Sequence, residues 1–300
     1  MLSATSPLDA IETRLRSLLP AYLYVSAWVD PSPTTLERVF EHLRTLQRIL
    51  HDYSSRQISE NPPRPGEVRF EWKKGSLMFT DMAGFTRLME ANAAHGKAGA
   101  QNLLKVLNDY FATMIEVVSK SGGDLQEFTG DALLVLFPSD DKHNDTLQAV
   151  KAGLRMQRAM TRFSDIATSQ GTLHLGMRVG IHSGRFLMAD IGTPRRMEHV
   201  LLGSAVQKAK LAESNGSAGR VCLSEHAFAR VAQDFSFEAG KPGHQFVVDN
   251  LSDAQLGEYE IKPRRRKSRA LLVERSVAGM MSEIDGTIKF VSPSSAAIMG

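Results

Sequence analysis

The chain has 300 residues, 42% of them hydrophobic and 23% charged, with a formal net charge of +3. That length allows one large domain with appendages or two domains, the composition is that of an ordinary globular protein, and so small a net charge gives no electrostatic case for a nucleic-acid partner. The single cysteine, Cys222, excludes an intrachain disulfide and fits a reducing compartment, so a cytoplasmic location is the default expectation.

In chain order, LLPAYLYVSAWV (18–29) is too short for the roughly 20 apolar residues of a spanning helix. It holds a proline, lacks a basic start followed by a cleavage site, and reads as a packed strand or short helix. A helix follows near SPTT, capped by Ser32 or Thr34. Its apolar positions Leu36, Val39, Leu43, Leu46, Leu50 and Tyr53 alternate at three and four, a heptad seam that suits either packing on its own domain or pairing of two chains. SENPPRPGE (59–67) breaks the pattern, so 1–66 is an N-terminal helical extension and linker.

Next come a strand (67–80), a short helix (84–92) and a long helix (98–119) with Leu103, Leu107, Tyr110, Phe111, Met114 and Val118 on one face. DLQEFTGDALLVLF reads as two strands around a tight Thr-Gly-Asp turn. A helix over 144–163, two strands within LHLGMRVGIHSGRFLMADI, a helix over 203–214, a strand at 219–223 and further β segments toward 274 complete the domain. Strands and helices are mixed and hairpins occur among them, so the class is α+β. Cys222 sits in an apolar run and reads as packing rather than as a reactive thiol.

Two carboxylates stand out. Asp81 ends the buried run SLMFT, and Asp131 sits in the tip of the hairpin. If those elements are neighbours, both carboxylates meet at one sheet edge, where they repel unless a proton or cation lies between them. Magnesium favours one or two carboxylates plus phosphates, and the glycine-containing turn into a helix beside Asp81 suits phosphate. The same residues also read as a helix cap and a turn residue. Spacing leaves both readings open.

FTDMAGFT, SGGDLQEFTGDALLVLF, MRVGIHSGR and HVLLGSAV stand in the order found in class III nucleotidyl cyclases, which residues 67–275 resemble. The resemblance implies a ferredoxin-like βαββαβ core and a dimer with active sites at its interface. The homodimer, or a heterodimer with a complementary cyclase chain, would convert GTP or ATP into a 3′,5′-cyclic nucleotide and pyrophosphate. It implies a two-metal site for Mg²⁺ or Mn²⁺, held by Asp81, Asp131 and the carbonyl of Met82. The amides of Ala83, Gly84, Phe85 and Thr86 would cradle phosphate, and Arg178 would bind the triphosphate. Glu127 and Val200 occupy the two base-selecting positions: glutamate leans toward guanine, and valine hydrogen-bonds neither base. Where the family has an asparagine that orients the ribose and an arginine that stabilises the transition state, this chain has Gln207 and Leu211.

Lys208 and Lys210 are expected to point off the face that carries Gln207 and Leu211. His182 reads as a satisfied strand histidine, and KPRRRKSR (262–269) as a solvated stretch. SEIDGTIKFVSPSSAAIMG (282–300) resembles the opening of a PAS sensor domain, so 276–300 is expected to be a linker and the start of such a domain.

Overall fold

The computed structural model describes Glu12, residues 16–257 and Tyr259, apart from 54, 56–57, 59–60, 62, 65, 94, 141–142, 169–170 and 194–195. The basic run at 262–269, the part of the expected β region beyond Tyr259 and the PAS-like stretch lie outside the described residues. Contacts divide the chain into two compact units, one within 1–54 and one within 55–263.

In the first unit the run 18–29 forms a helix, α1 (Ala21–Val29), before α2 (Pro33–Tyr53). Leu19 and Leu23 pack on Leu36, Val39 and Leu43, with Leu46 partly buried beside them. The heptad seam is therefore used within the chain: its first four positions face α1.

The second unit opens with β1 (Arg69–Ala83), α3 (Phe85–Ala93), α4 (Gly96–Lys120), β2 (Asp124–Thr129), β3 (Ala132–Pro138) and α5 (Asp145–Ala159). A short hairpin follows, β4 (Ile166–Thr168) and β5 (Gly171–Leu173), then β6 (Gly176–Thr193), β7 (Arg196–Leu202) and α6 (Ser204–Ser214). The last elements are β8 (Val221–Ser224), α7 (Glu225–Val231), β9 (Ser236–Ala239), β10 (His244–Val248) and α8 (Asp253–Leu256). The main sheet runs β2-β3-β1-β6-β8-β10-β9, with β7 added on β6. Its first four strands are mutually antiparallel and have the ferredoxin-like order. The β6–β8 pair is parallel, which makes the sheet mixed.

Both faces of β1 are covered, which explains why SLMFT reads as a continuous apolar run rather than an alternating one. Met78 and Met82 enter the main core with residues of α4 and α5, such as Tyr110, Met114 and Leu154. Leu77 enters a smaller core with Phe186, Ala205 and Ala209, under α6. Asn144 caps α5 by accepting from the amides of Thr146 and Leu147. Just inside that cap, the buried Asp145 accepts from Ser76 Oγ (2.7 Å) and the Arg230 guanidinium (2.6 Å), tying α5 to β1 and α7.

One expectation changes. LHLGMRVGIHSGRFLMADI was expected to hold two strands, yet Gly176–Thr193 is a single strand of 18 residues, paired with β1 from Arg69↔Asp190 to Ala83↔Gly176. Gly180 is a close-approach site, not a turn: a Cβ there would lie 1.9 Å from the Glu213 amide nitrogen of α6.

His182 is a satisfied strand histidine. It is buried, with Nδ1 2.7 Å from Ser224 Oγ. Burial, then the charges of Lys208 and His226, lower its pKa to about 4. In the unfolded chain it titrates near 6.5, so between these values the unfolded state binds more protons. The stability it contributes is present above pH 6.5 and is lost as pH falls toward 4, by up to about 3 kcal/mol. A His182→Gln chain is expected to lose that part of the pH dependence in urea melts. An unchanged slope between pH 4 and 6.5 would refute the assignment. Cys222 is likewise buried, and burial pushes its thiol up to about 11, as a packing residue requires.

Candidate active site

Strand β1 ends at Ala83, and Gly84 turns the chain into α3 with φ +97, a left-handed conformation that favours glycine. The first helical bond runs from the Leu88 amide to the Gly84 carbonyl (3.0 Å). The amides before it lack helical partners and face outward, as at any helix start.

Opposite stands the β2–β3 hairpin, turned by Gly130 at φ +69. The β1–β3 ladder ends at Thr80↔Leu133, and two further steps in that register set Met82 opposite Asp131. The Met82 amide donates to the Asp131 carboxylate. Burial raises the pKa of Asp131, and the neighbouring Asp81 charge raises it further. The two carboxylates therefore share one edge and feel one another.

On the other side Arg178 of β6 lies directly across from Asp81. Its guanidinium donates to Asp81 Oδ2, while its Nε forms an ion pair with Glu213 Oε1 at 3.0 Å. The Glu213 side chain is fully buried, and its second oxygen accepts from Lys210 Nζ at 2.7 Å. Lys210 also lies 4.5 Å from the centroid of the Phe79 ring. Asp81, Arg178, Glu213 and Lys210 thus form one alternating chain of charge running from the end of β1 to α6.

Asp81 and Arg178 border a cleft of about 1020 Å³. Asp81, Met82, Asp131, Arg178 and the 83–86 turn all line it, together with Arg87. The opposite wall is Thr172, Leu173 and His174, from the end of the β4–β5 hairpin, which sequence reasoning did not identify. The available signal was Gly171 (φ +107) between two β-prone triplets. His174 Nδ1 is hydrogen-bonded to the Ser164 carbonyl, which anchors this wall to the end of the preceding helical segment.

Four other candidate residues do not line the cleft. Glu127 is exposed on β2, and Val200 is half-buried on β7 opposite Ala189. Gln207 and Leu211 are one turn apart on the exposed face of α6, whose other face buries Ala205, Ala209 and Ala212. Leu211 is 52% exposed. Within one chain the candidates therefore form two sets, one gathered at the cleft and one on the outer surface.

A divalent cation fits the first set. Asp81, Asp131 and the main-chain carbonyl of Met82 are hard oxygen donors, and a cation would relieve the repulsion that Asp81 adds to burial in raising the pKa of Asp131. Among the described residues no group of three or more His, Cys, Asp or Glu side chains gathers. The donors are thus two carboxylates, with room left for the oxygens of a ligand, which is the arrangement magnesium favours.

Residues 71–253 match the family model of the adenylate and guanylate cyclase catalytic domain, and the chain belongs to that family. It is 32% identical over 208 residues to the terminal-differentiation-specific adenylate cyclase of Dictyostelium discoideum, covering 67% of this chain and 9% of that protein. It is 30% identical over 145 residues to an adenylate cyclase of Anabaena cylindrica, covering 47% of this chain and 27% of that one. The chain therefore spans only a small part of these relatives. Among solved structures, the adenylyl cyclase CyaB of P. aeruginosa superposes with a TM-score of 0.52 at 26% identity, over 62% of this chain and 98% of that one.

Among the described residues no helix is long and apolar enough to cross a membrane.

Proposed function

We propose that this domain binds a nucleoside triphosphate with Mg²⁺ or Mn²⁺ in the cleft between β1, the β2–β3 hairpin and β6. We further propose that it is a nucleotide-cyclase module of signal transduction whose homodimer turns over little. The observation that carries the binding is the convergence of Asp81, Asp131, the 83–86 turn and Arg178 on one cleft. A bound cation would supply the charge that activates a ribose hydroxyl and steadies the phosphates. Asp81, Asp131 and the Met82 carbonyl would hold it. The amides of Ala83 to Thr86 would receive phosphate oxygens. Arg178 would keep its Nε on Glu213 and turn its terminal nitrogen from Asp81 to the triphosphate.

The separation of Glu127, Val200, Gln207 and Leu211 from that cleft supports a two-chain site, in which this second set comes from a partner. Glu127 accepts from the N1 and N2 groups of guanine, while adenine's edge offers it no matching pair of donors, so GTP is the preferred substrate. Gln207 retains an amide that can donate. Leu211 has no donor, so no group from α6 meets the charge that builds on the α-phosphate during ring closure. This favours a second reading, in which the domain regulates by binding nucleotide or a partner without turnover. A turnover assay with GTP and ATP separates the two.

GTP with Mn²⁺ is expected to raise the melting temperature, because a ligand confined to the native state stabilises it by about 2.7 kcal/mol at 100 times its Kd. Asp81→Ala combined with Asp131→Ala should abolish the rise. A full shift in the double variant would return both residues to cap and turn duty.

A further inference from the structure

Helix α1 contains no charged residue between Pro20 and Asp30. A helix apolar on all sides belongs in an interior, yet α2 covers only the side of α1 that carries Leu23. On the uncovered side Tyr22, Val25 and Val29 are 72%, 54% and 78% exposed, with Leu18 just before the helix at 46%. They are spaced four, three and four apart, the spacing of a helix seam. Among the described residues the helical hairpin buries five apolar side chains of its own, a small core.

Between this stripe and α2 lies a groove of about 350 Å³, lined by Tyr22, Val25 and Val29 and bearing Asp30 and Arg38. One acid and one base on a single groove make it self-complementary. In a two-fold contact the acid of each copy meets the base of the other. A lipid surface asks instead for a helix with lysine and arginine on its polar face, which α1 lacks.

We infer that α1 is a self-association surface. Two copies of this chain pack their Tyr22–Val25–Val29 stripes against each other, antiparallel, with Val25 near the two-fold axis and Asp30 of each copy facing Arg38 of the other. The product is a four-helix bundle of two α1–α2 hairpins. This contact is separate from any pairing of the cyclase faces. It also differs from a coiled coil through α2, whose first four seam positions already face α1.

The test uses the whole chain. Under mild oxidation Val25→Cys is expected to give a disulfide-linked dimer, since the natural Cys222 is buried, whereas Glu41→Cys on exposed α2 surface is not. In sedimentation equilibrium Val25→Asp should weaken self-association by about tenfold or more, because a carboxylate in an apolar seam loses its hydration. Asp30→Arg and Arg38→Asp should each weaken it, and the two together should restore it. Because all these residues are exposed, circular dichroism should show unchanged folding. The inference is overturned if Val25→Cys cross-links no better than Glu41→Cys, if Val25→Asp sediments like the natural chain, or if the charge swap fails to rescue. It is also overturned if the chain floats with phospholipid vesicles and Val25→Asp abolishes the flotation, since the stripe would then be a lipid contact.

Discussion

A chain carrying Gln207→Asn and Leu211→Arg is expected to form cyclic nucleotide at least about 10³ times faster than the natural chain, since arginines that meet transition-state charge in phosphoryl transfer contribute about 10³ to 10⁵ in rate. The structure removes the main physical objection to this repair. Leu211 is 52% exposed on the free face of α6, so a guanidinium there keeps its water. Exposed substitutions of this kind generally change stability by no more than about 0.5 kcal/mol. The gain should appear with GTP before ATP because of Glu127, and Val200→Cys should sharpen that preference. Lys208→Arg, on the same helix but not at position 211, should give no gain while Leu211 remains. Strong cyclisation by the natural chain would refute the idea and would mean that Gln207 or a lysine already meets the charge.

The parts of this site that were legible in the sequence are those built from neighbours in the chain. Asp81, Met82 and the 83–86 turn lie on one continuous segment, where a buried run, a carboxylate and a positive-φ glycine follow each other. Asp131 was legible because its hairpin is closed by local turn chemistry. Groups that depend on pairing between distant strands were not. Glu213 looks in sequence like an ordinary polar residue near a helix end, yet it is fully buried and is held by Arg178 from β6. Asp190 is buried too, and takes Arg69 Nε and His199 Nδ1, each at 2.6 Å, from strands on either side. No local pattern announces a carboxylate whose partners come from other strands. The length of β6 was hidden for a related reason. Gly180 resembles punctuation in sequence, and only the helix packed above it shows why a side chain is absent.

Gly180→Ala is expected to be among the most damaging single substitutions in the domain. A Cβ at this position would sit 1.9 Å from the backbone nitrogen of Glu213, 2.5 Å from its Cα and 2.6 Å from the Ala212 carbonyl carbon. All three are backbone atoms of α6, so no rotamer change relieves the overlap, and the helix must lift off β6. Ala205, Ala209 and Ala212 would then lose their burial. Glu213 would move away from Arg178 and keep only Lys210 of its own helix, and the backbone overlap together with the lost burial is expected to cost about 3 to 5 kcal/mol, the range of the larger core defects. For a domain of this size that corresponds to a fall in melting temperature of roughly 6 to 20 °C. The functional consequence follows from the same displacement: α6 carries positions 207 and 211, so lifting it should cancel the gain from the arginine repair even below the melting point. Leu211→Ala, on the exposed face of the same helix, is the control and should melt close to the natural chain. A Gly180→Ala chain that melts within about 2 °C of the natural one would show that α6 rests on β6 more loosely than these contacts require.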